Sequence, residues 1–354
     1  MNNKKKFTIV FAAIAIIGII VLWPKISLYL AGSKTSINEK KVEFYFDAKK
    51  DLNGLANQLI KEKIIDNKNA FLKVGEYKNL NIDRLASGKY VIEKGTNYRT
   101  LLNGFTKNSN GNGNAEVEVS VTFNNCRDVN QMAGKVASCL MLDSLELDNF
   151  LTSEATLSKY EFTSEQLPAL FLPNTYKMFW DTDAEQFLLR MAKEFKSFWT
   201  EDRKAKLVKI GLESPSQAVT LASVVYSEQG KNPSEWPIIA GLYLNRIEKG
   251  MKLQSDPTFK FCWGDELKGV QRLTFEHRDR DCAYNTYLYK GLPPGPICIP
   301  PTECVDAVLN RDENDYIFMM AKADYSGLHD FTVDYADHSR LAGIYSKWLK
   351  AEGF

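Results

Sequence analysis

Hydrophobic positions along the chain follow three successive patterns. From Phe7 to Trp23 they are continuous: no charge interrupts the run, Thr8 is its one polar side chain, Lys4, Lys5 and Lys6 precede it, and Pro24 and Lys25 end it. At a rise of 1.5 Å per residue this run spans roughly 26 Å, enough for a short transmembrane helix with Trp23 at the interface. The lysines predict a cytoplasmic stub over 1–6, a single-pass anchor over 7–23 and, by the positive-inside rule, a large body outside the cytoplasm. A cleaved signal peptide is the alternative; the length of the run and the lack of a small-residue cleavage site argue against it.

The second pattern alternates strands with amphipathic helices. Val42 to Phe46 reads as a strand and 51–60 as a helix; a helix follows at 69–78, a strand at 88–93 and a strand at 116–123. Asp51-Leu52-Asn53-Gly54-Leu55-Ala56 is echoed by Asp128-Val129-Asn130-Gln131-Met132-Ala133, a weak strand–helix repeat. Between the copies, 108–114 is an Asn/Gly/Ser run that predicts a flexible loop.

The third pattern is helical. Residues 143–213 read as charged helices with a loop over 171–176. Ser214-Pro215-Ser216-Gln217 predicts a helix start with a capping box, and Gly230 its end. Within that helix Ala218, Leu221, Ala222, Val224 and Val225 form an apolar stripe that Glu228 continues. A carboxyl on a buried face has its charged form disfavoured, which suits a general acid near neutral pH. A surface residue in the last turn is the bland alternative. A second helix is predicted over 235–249, with Ser234 as N-cap, Gly250 as its stop and Asn245 facing inward, either toward a sugar or toward backbone groups. Tyr284-Asn285-Thr286-Tyr287 mixes aromatic faces with amide and hydroxyl groups, as saccharide recognition needs. After it, 291–301 carries Pro293, Pro294, Pro296, Pro300 and Pro301, a backbone largely fixed before any ligand arrives. Both segments also suit a packed connector.

Composition narrows the class. The 354 residues carry 45 Lys+Arg against 44 Asp+Glu, a net charge of +1, so nothing in the overall balance attracts nucleic acid. Three histidines, without H-E-x-x-H spacing, argue against a His-based metal site. Outside the cytosol the six cysteines are free to pair; the short spacing of Cys298 and Cys304 favours that pair, with buried thiols as the alternative.

Taken together, the motifs Leu221-Ala222-Ser223-Val224-Val225 through Glu228, Leu244-Asn245-Arg246, Leu253-Gln254-Ser255-Asp256-Pro257-Thr258, Ala283-Tyr284-Asn285-Thr286-Tyr287 and Gly291-Leu292-Pro293-Pro294-Gly295-Pro296-Ile297 resemble those of the MltG/YceG-like endolytic murein transglycosylases. The tail, with His329, Phe331 and His338, is similar to that family's closing strand and loop, and the segment around Gly88-Lys89-Tyr90 to its LysM-like module. Tyr226 stands where many members carry a second acid, and Ser339 where asparagine is commoner.

The resemblance implies an α+β protein with an N-terminal transmembrane helix, a LysM-like module over 40–107 and a larger mixed α/β catalytic domain over 115–354, anchored in a bacterial cytoplasmic membrane. Its implied activity is lytic cleavage of the MurNAc–GlcNAc bond of nascent peptidoglycan to 1,6-anhydroMurNAc ends, which limits strand elongation. Glu228 matches the catalytic glutamate. Asn245, Gln254, Ser255, Asp256, Tyr284, Asn285, Thr286, Tyr287, Pro294 and Gly295 are the candidates for holding sugar rings, with the proline loop as a groove wall. No metal or organic cofactor is implied; the implied partners are glycan strands, the membrane and cell-wall synthases. A non-catalytic anchored glycan-binding scaffold and a hydrolytic muramidase using Asp256 are the competing readings.

Overall fold

The structure, a computed structural model, describes residues 3–37, 40–267, 270 and 274–353. It is mixed α+β and divides into two compact units, 1–120 with 177–182, and 121–176 with 183–354. The first unit therefore reaches past residue 107 and recruits a short return segment.

In the first unit α1 (Asn3–Ser33) precedes β1 (Val42–Phe46), α2 (Leu52–Lys61), α3 (Lys68–Tyr77), β2 (Gly88–Ile92), α4 (Tyr98–Gly104) and β3 (Glu116–Val117). Helix α1 does not stop at Pro24 but runs on to Ser33 with the proline inside it. Its last turns have somewhere to pack: Leu28 and Ala31 join the core formed with Leu55, Phe71 and Tyr98. Among the described residues it holds one window long and apolar enough to cross a membrane, Ile16–Ser33. The sheet is antiparallel in the order β1-β2-β3, with Phe44 opposite Tyr90. Phe44 and Phe46, two apart, bury one face of β1.

The second unit takes β4 (Val119–Phe123) from its third residue, then α5 (Val129–Ala137), α6 (Ser144–Thr152), α7 (Glu154–Tyr160), β5 (Asn174–Met178), α8 (Ala184–Phe198), α9 (Glu201–Lys209), α10 (Pro215–Glu228), α11 (Trp236–Glu248), α12 (Asp256–Trp263), α13 (Phe275–Arg278), α14 (Thr302–Leu309), β6 (Phe318–Ala321), β7 (His329–Thr332) and α15 (Tyr335–Ala351). Strand β5 takes up the second half of the segment expected to be a loop; it pairs with β4 and turns Tyr176 and Met178 inward. The two copies of the sequence echo are both helix starts: Asp51 accepts the N–H of Gly54 at 2.7 Å and Asp128 that of Gln131 at 2.8 Å. The repeated aspartate is thus an N-cap at each position.

Helix α10 is the centre of this unit. Every residue from Ala218 to Val225 is buried, and α11, α12 and α14 pack around it. Ser214 caps it as expected, accepting the N–H of Gln217 at 3.3 Å. The reciprocal half of the box lands one residue earlier, because Gln217 Oε1 accepts from the N–H of Glu213 at 2.8 Å. The start of α11 also differs: 233–235 is a 3-10 turn and Ser234 makes no cap, since the turn is tied down by the carboxylate of Glu235, which accepts both the backbone N–H (2.7 Å) and Nδ1 (2.8 Å) of His329.

The cysteines pair differently from the expectation. Cys262 and Cys282 form a disulfide, and Cys298 and Cys304 are thiols. Each of these thiols is instead turned to a carbonyl of α10, Cys298 to Ser223 at 3.7 Å and Cys304 to Ala222 at 3.4 Å.

Candidate active site

The site is built on the last residue of α10. Leu221, Val224 and Val225 are fully buried, and the same helical face delivers the half-buried carboxyl of Glu228 into a cleft of about 530 Å³. One oxygen is fixed. Glu228 Oε1 accepts from the hydroxyl of Tyr243 on α11 at 2.9 Å and, more closely still, from that of Ser255 just before α12. Oε2 has no hydrogen-bond partner among the described residues, so it is the oxygen left for a ligand.

Burial dominates the electrostatics of Glu228 and pushes its pKa up; the two hydroxyl donors pull it back. The charge of Asp256 raises it further and His329 lowers it, in that order of size. The proton is thereby held more firmly than on an exposed glutamate, as a general acid requires.

Ser255 is a tightly held donor. Its N–H donates to Thr286 Oγ1 at 3.0 Å, its carbonyl accepts from Thr258 at 2.6 Å, and the hydroxyls of Thr258 and Thr286 lie 2.8 Å apart. Gln254 enters this loop in a left-handed conformation, φ 51°, and its N–H donates to the carbonyl of Thr286 at 3.2 Å. Ser255 and Thr286 are fully buried and serve the carboxyl of Glu228 rather than the cleft lining.

Of the other candidates, Gln254, Asp256 and Tyr287 line the cleft with Glu228. Tyr287 donates its hydroxyl to Asp256 Oδ1 at 2.6 Å, and burial with that contact drives the phenol pKa up. Asn245 is not in the lining. Its amide nitrogen donates to the carbonyls of Asn314 (2.7 Å) and Tyr316 (3.0 Å), fixing the approach to β6. Asn285 is likewise spent inside the protein, donating to the carbonyls of Arg278 (2.6 Å) and Arg280 (2.9 Å). Tyr284 packs on Phe261 with ring centroids 4.6 Å apart, and its phenol pKa rises to about 12 through burial. Pro294 and Gly295 lie outside the cleft lining. The proline loop braces α10 from elsewhere: Ile297 N–H donates to Ser223 Oγ at 2.9 Å, and Gly295 sits so near the backbone of Glu165 that a Cβ would fall 1.9 Å from its carbonyl oxygen.

Several cleft residues escaped the reading of the sequence. Tyr243 is hidden in a helix that is apolar nearly throughout, and nothing in its spacing marks a polar function. Arg246, Lys260, Met319, Met320 and His338 also line the cleft. His338 stacks on Phe318 at 5.1 Å, and its Nδ1 is buried without a hydrogen-bond partner. Tyr226 turns elsewhere, donating to Asn125 Oδ1 at 3.0 Å and meeting Trp236 edge-on.

The family model described as "YceG-like family" matches residues 44–343. Among curated relatives, an "Endolytic murein transglycosylase" of Bacillus subtilis is 25% identical over 328 residues, covering 88% of this chain and 86% of that protein. One of the same name from Streptococcus pneumoniae is 22% identical over 291 residues, covering 75% of this chain and 51% of the longer relative. A crystal structure of a yceG-like protein from Listeria monocytogenes shares the fold, with a TM-score of 0.54, 22% identity and coverage of 86% of this chain and 99% of that one.

Proposed function

Since the chain belongs to the YceG-like family, we propose that it is a lytic transglycosylase acting on peptidoglycan, in which Glu228 alone serves as acid and then as base. The observation that carries this reading is the setting of Glu228: half-buried, its pKa raised by that burial, fixed at Oε1 by Tyr243 and Ser255 and open at Oε2. Glu228 Oε2 donates its proton to the glycosidic oxygen as the bond from C1 of N-acetylmuramic acid breaks. The resulting carboxylate then takes the proton of the same sugar's O6 hydroxyl as O6 bonds to C1, closing the 1,6-anhydro ring and restoring the acid. No water enters, so no second carboxylate is needed, unlike in ordinary glycosidases. Gln254, Asp256 and Tyr287 are the side chains best placed to orient sugar rings; Ser255 and Tyr243 act through Glu228. Asn245, Asn285 and Thr286 hold the frame that presents them.

The names of these relatives support an endolytic cut in murein. The apolar window of α1 supports a single-pass anchor with the lysine-bearing end inside and the second unit outside the bacterial cytoplasmic membrane. We assign the α+β region over 40–107 as a LysM-like glycan-binding module. At that position the enzyme would cut strands as they leave the cell-wall synthases, its natural neighbours, and so limit their length.

Digestion of purified, uncrosslinked glycan strands tests the reaction type. Mass spectrometry of the new ends should find termini lacking one water relative to hydrolytic products. Hydrated ends would instead establish a muramidase, with Asp256 as the candidate second carboxylate, and intact strands retained by the protein would establish a binding scaffold.

A further inference from the structure

The wall of the cleft contains a buried cation that makes no ion pair with any carboxylate among the described residues. Arg246 is 8% exposed; its Nε donates to the carbonyl of Ile317 at 2.6 Å, and Nη1 to those of Leu253 (2.6 Å) and Lys252 (3.4 Å). Three carbonyls thus fix the plane of the guanidinium, with Cζ 5.7 Å from the centroid of Phe318. Nη2 has no partner among the described residues, nor does Arg246 pair with any Asp or Glu among them. Burial holds its pKa below the usual arginine value. Buried charges are ordinarily paired, because an isolated one loses hydration without compensation. A guanidinium in the wall of the cleft, with both N–H groups of Nη2 unspent among the described residues, fits an anion that arrives with the ligand.

A second cation shares the cleft. Lys260 lies four residues beyond Asp256 on α12, is exposed, and has no carboxylate partner among the described residues. The two carboxyl groups of the cleft are engaged elsewhere, Glu228 at Oε1 by Tyr243 and Ser255 and Asp256 at Oδ1 by Tyr287, and neither is bonded to either cation among the described residues.

We propose that Arg246 and Lys260 form an anion subsite that holds a carboxylate carried by the substrate, so that the cleft selects peptide-substituted, anionic glycan over neutral β-1,4-linked acetamido sugars. This rests on the transglycosylase reading above for the identity of the glycan. The guanidinium supplies a planar two-donor fork and the lysine a mobile point charge, a combination suited to a carboxylate on a flexible substituent.

The test uses the full chain in detergent, with uncrosslinked strands bearing stem peptides and, as the neutral probe, a hexamer of N-acetylglucosamine. Wild type, Lys260→Gln and Arg246→Lys are compared for cleavage and equilibrium binding at low and high salt. On peptide-bearing strands KM and Kd should rise about fivefold in Lys260→Gln and about tenfold in Arg246→Lys, with kcat little changed. Salt should raise the wild-type KM, and less so that of Lys260→Gln, as screening weakens the charge contact. Hexamer binding should be alike in all three proteins. Arg246 also supports backbone carbonyls, so its variant is checked by thermal melting; the exposed Lys260 keeps the test decisive if Arg246→Lys does not fold. Cleavage with KM and salt response unchanged in Lys260→Gln would overturn the subsite and leave the transglycosylase reading standing. Absence of cleavage with charge-dependent strand binding would support the subsite and sink that reading.

Discussion

Replacing Gly295 by alanine tests how the proline loop supports the helix that bears Glu228. A Cβ at this position would lie 1.9 Å from the carbonyl oxygen of Glu165, 2.4 Å from its carbon and 3.2 Å from the nitrogen of Gln166. An ordinary carbon–oxygen contact is about 3.3 Å, so one of the two backbones must retreat by about 1.4 Å. The obstacle is main chain and cannot rotate aside like the tip of a side chain. Overpacking costs about 1–3 kcal/mol, and a rigid obstacle places this site near the upper end. For a domain of about 150–250 residues each kcal/mol lowers the Tm by about 2–4 °C, which gives a fall of about 6–12 °C. The displacement also reaches the site, because Ile297 N–H, two residues on, donates to Ser223 Oγ in α10 at 2.9 Å. Scanning calorimetry of wild type and Gly295→Ala, with strand cleavage measured below both transitions, should show a lower Tm and reduced activity. A Tm within about 1 °C of wild type would refute the close approach and the bracing role inferred from it.

Other perturbations have definite signs. Asp256→Asn removes a negative charge that raises the pKa of Glu228; because the general acid works in its protonated form, the alkaline limb of kcat/KM should move to lower pH, and a move upward would contradict the assignment. Glu116 of the first unit has a pKa of about 7 against 4.5, raised by burial and then by Asp181, while Gly113 N–H and Asn112 oppose the rise. The folded state therefore binds this proton more tightly than the unfolded one: the group's contribution to stability is full below about 4.5 and lost as pH rises through about 7. Hydrogen exchange around β3 in the full chain should show weaker protection at pH 8 than at pH 5 after correction for intrinsic exchange rates, and Glu116→Gln should abolish that difference. Cys262→Ser opens the loop between residues separated by 20 positions, for which chain entropy predicts a loss of about 3 kcal/mol, read as a lower denaturation midpoint under oxidising conditions and not under reducing ones.

The sequence was most informative where one periodicity dominates. The spacing of Leu221, Val224, Val225 and Glu228 places a carboxyl on an inward helical face, and the structure has that helix over 215–228. The helices α2 and α5 at the two copies of the repeat and the strand at β1 are similarly local features. What escaped depends on partners far along the chain. Asn245 and Asn285 have the chemistry of sugar ligands, but their amides are consumed by carbonyls near residues 314–316 and 278–280. Ser255 sits in a motif that suggests ligand contact, yet its hydroxyl closes on Glu228, and Tyr243 joins it from a helix whose pattern shows only burial. The Cys262–Cys282 pair joins ends separated by the short helix α13, a proximity that cysteine spacing does not encode.

The measurement closest to the centre of the account is the cleavage rate of Glu228→Gln beside wild type on the same strands. The amide still accepts from Tyr243 and Ser255 but has no proton to give the leaving oxygen. Loss of activity by about 10²–10⁴-fold with strand binding retained is the predicted result. A variant that still cleaves within about tenfold of wild type, giving the same ends, would show that another group carries the proton.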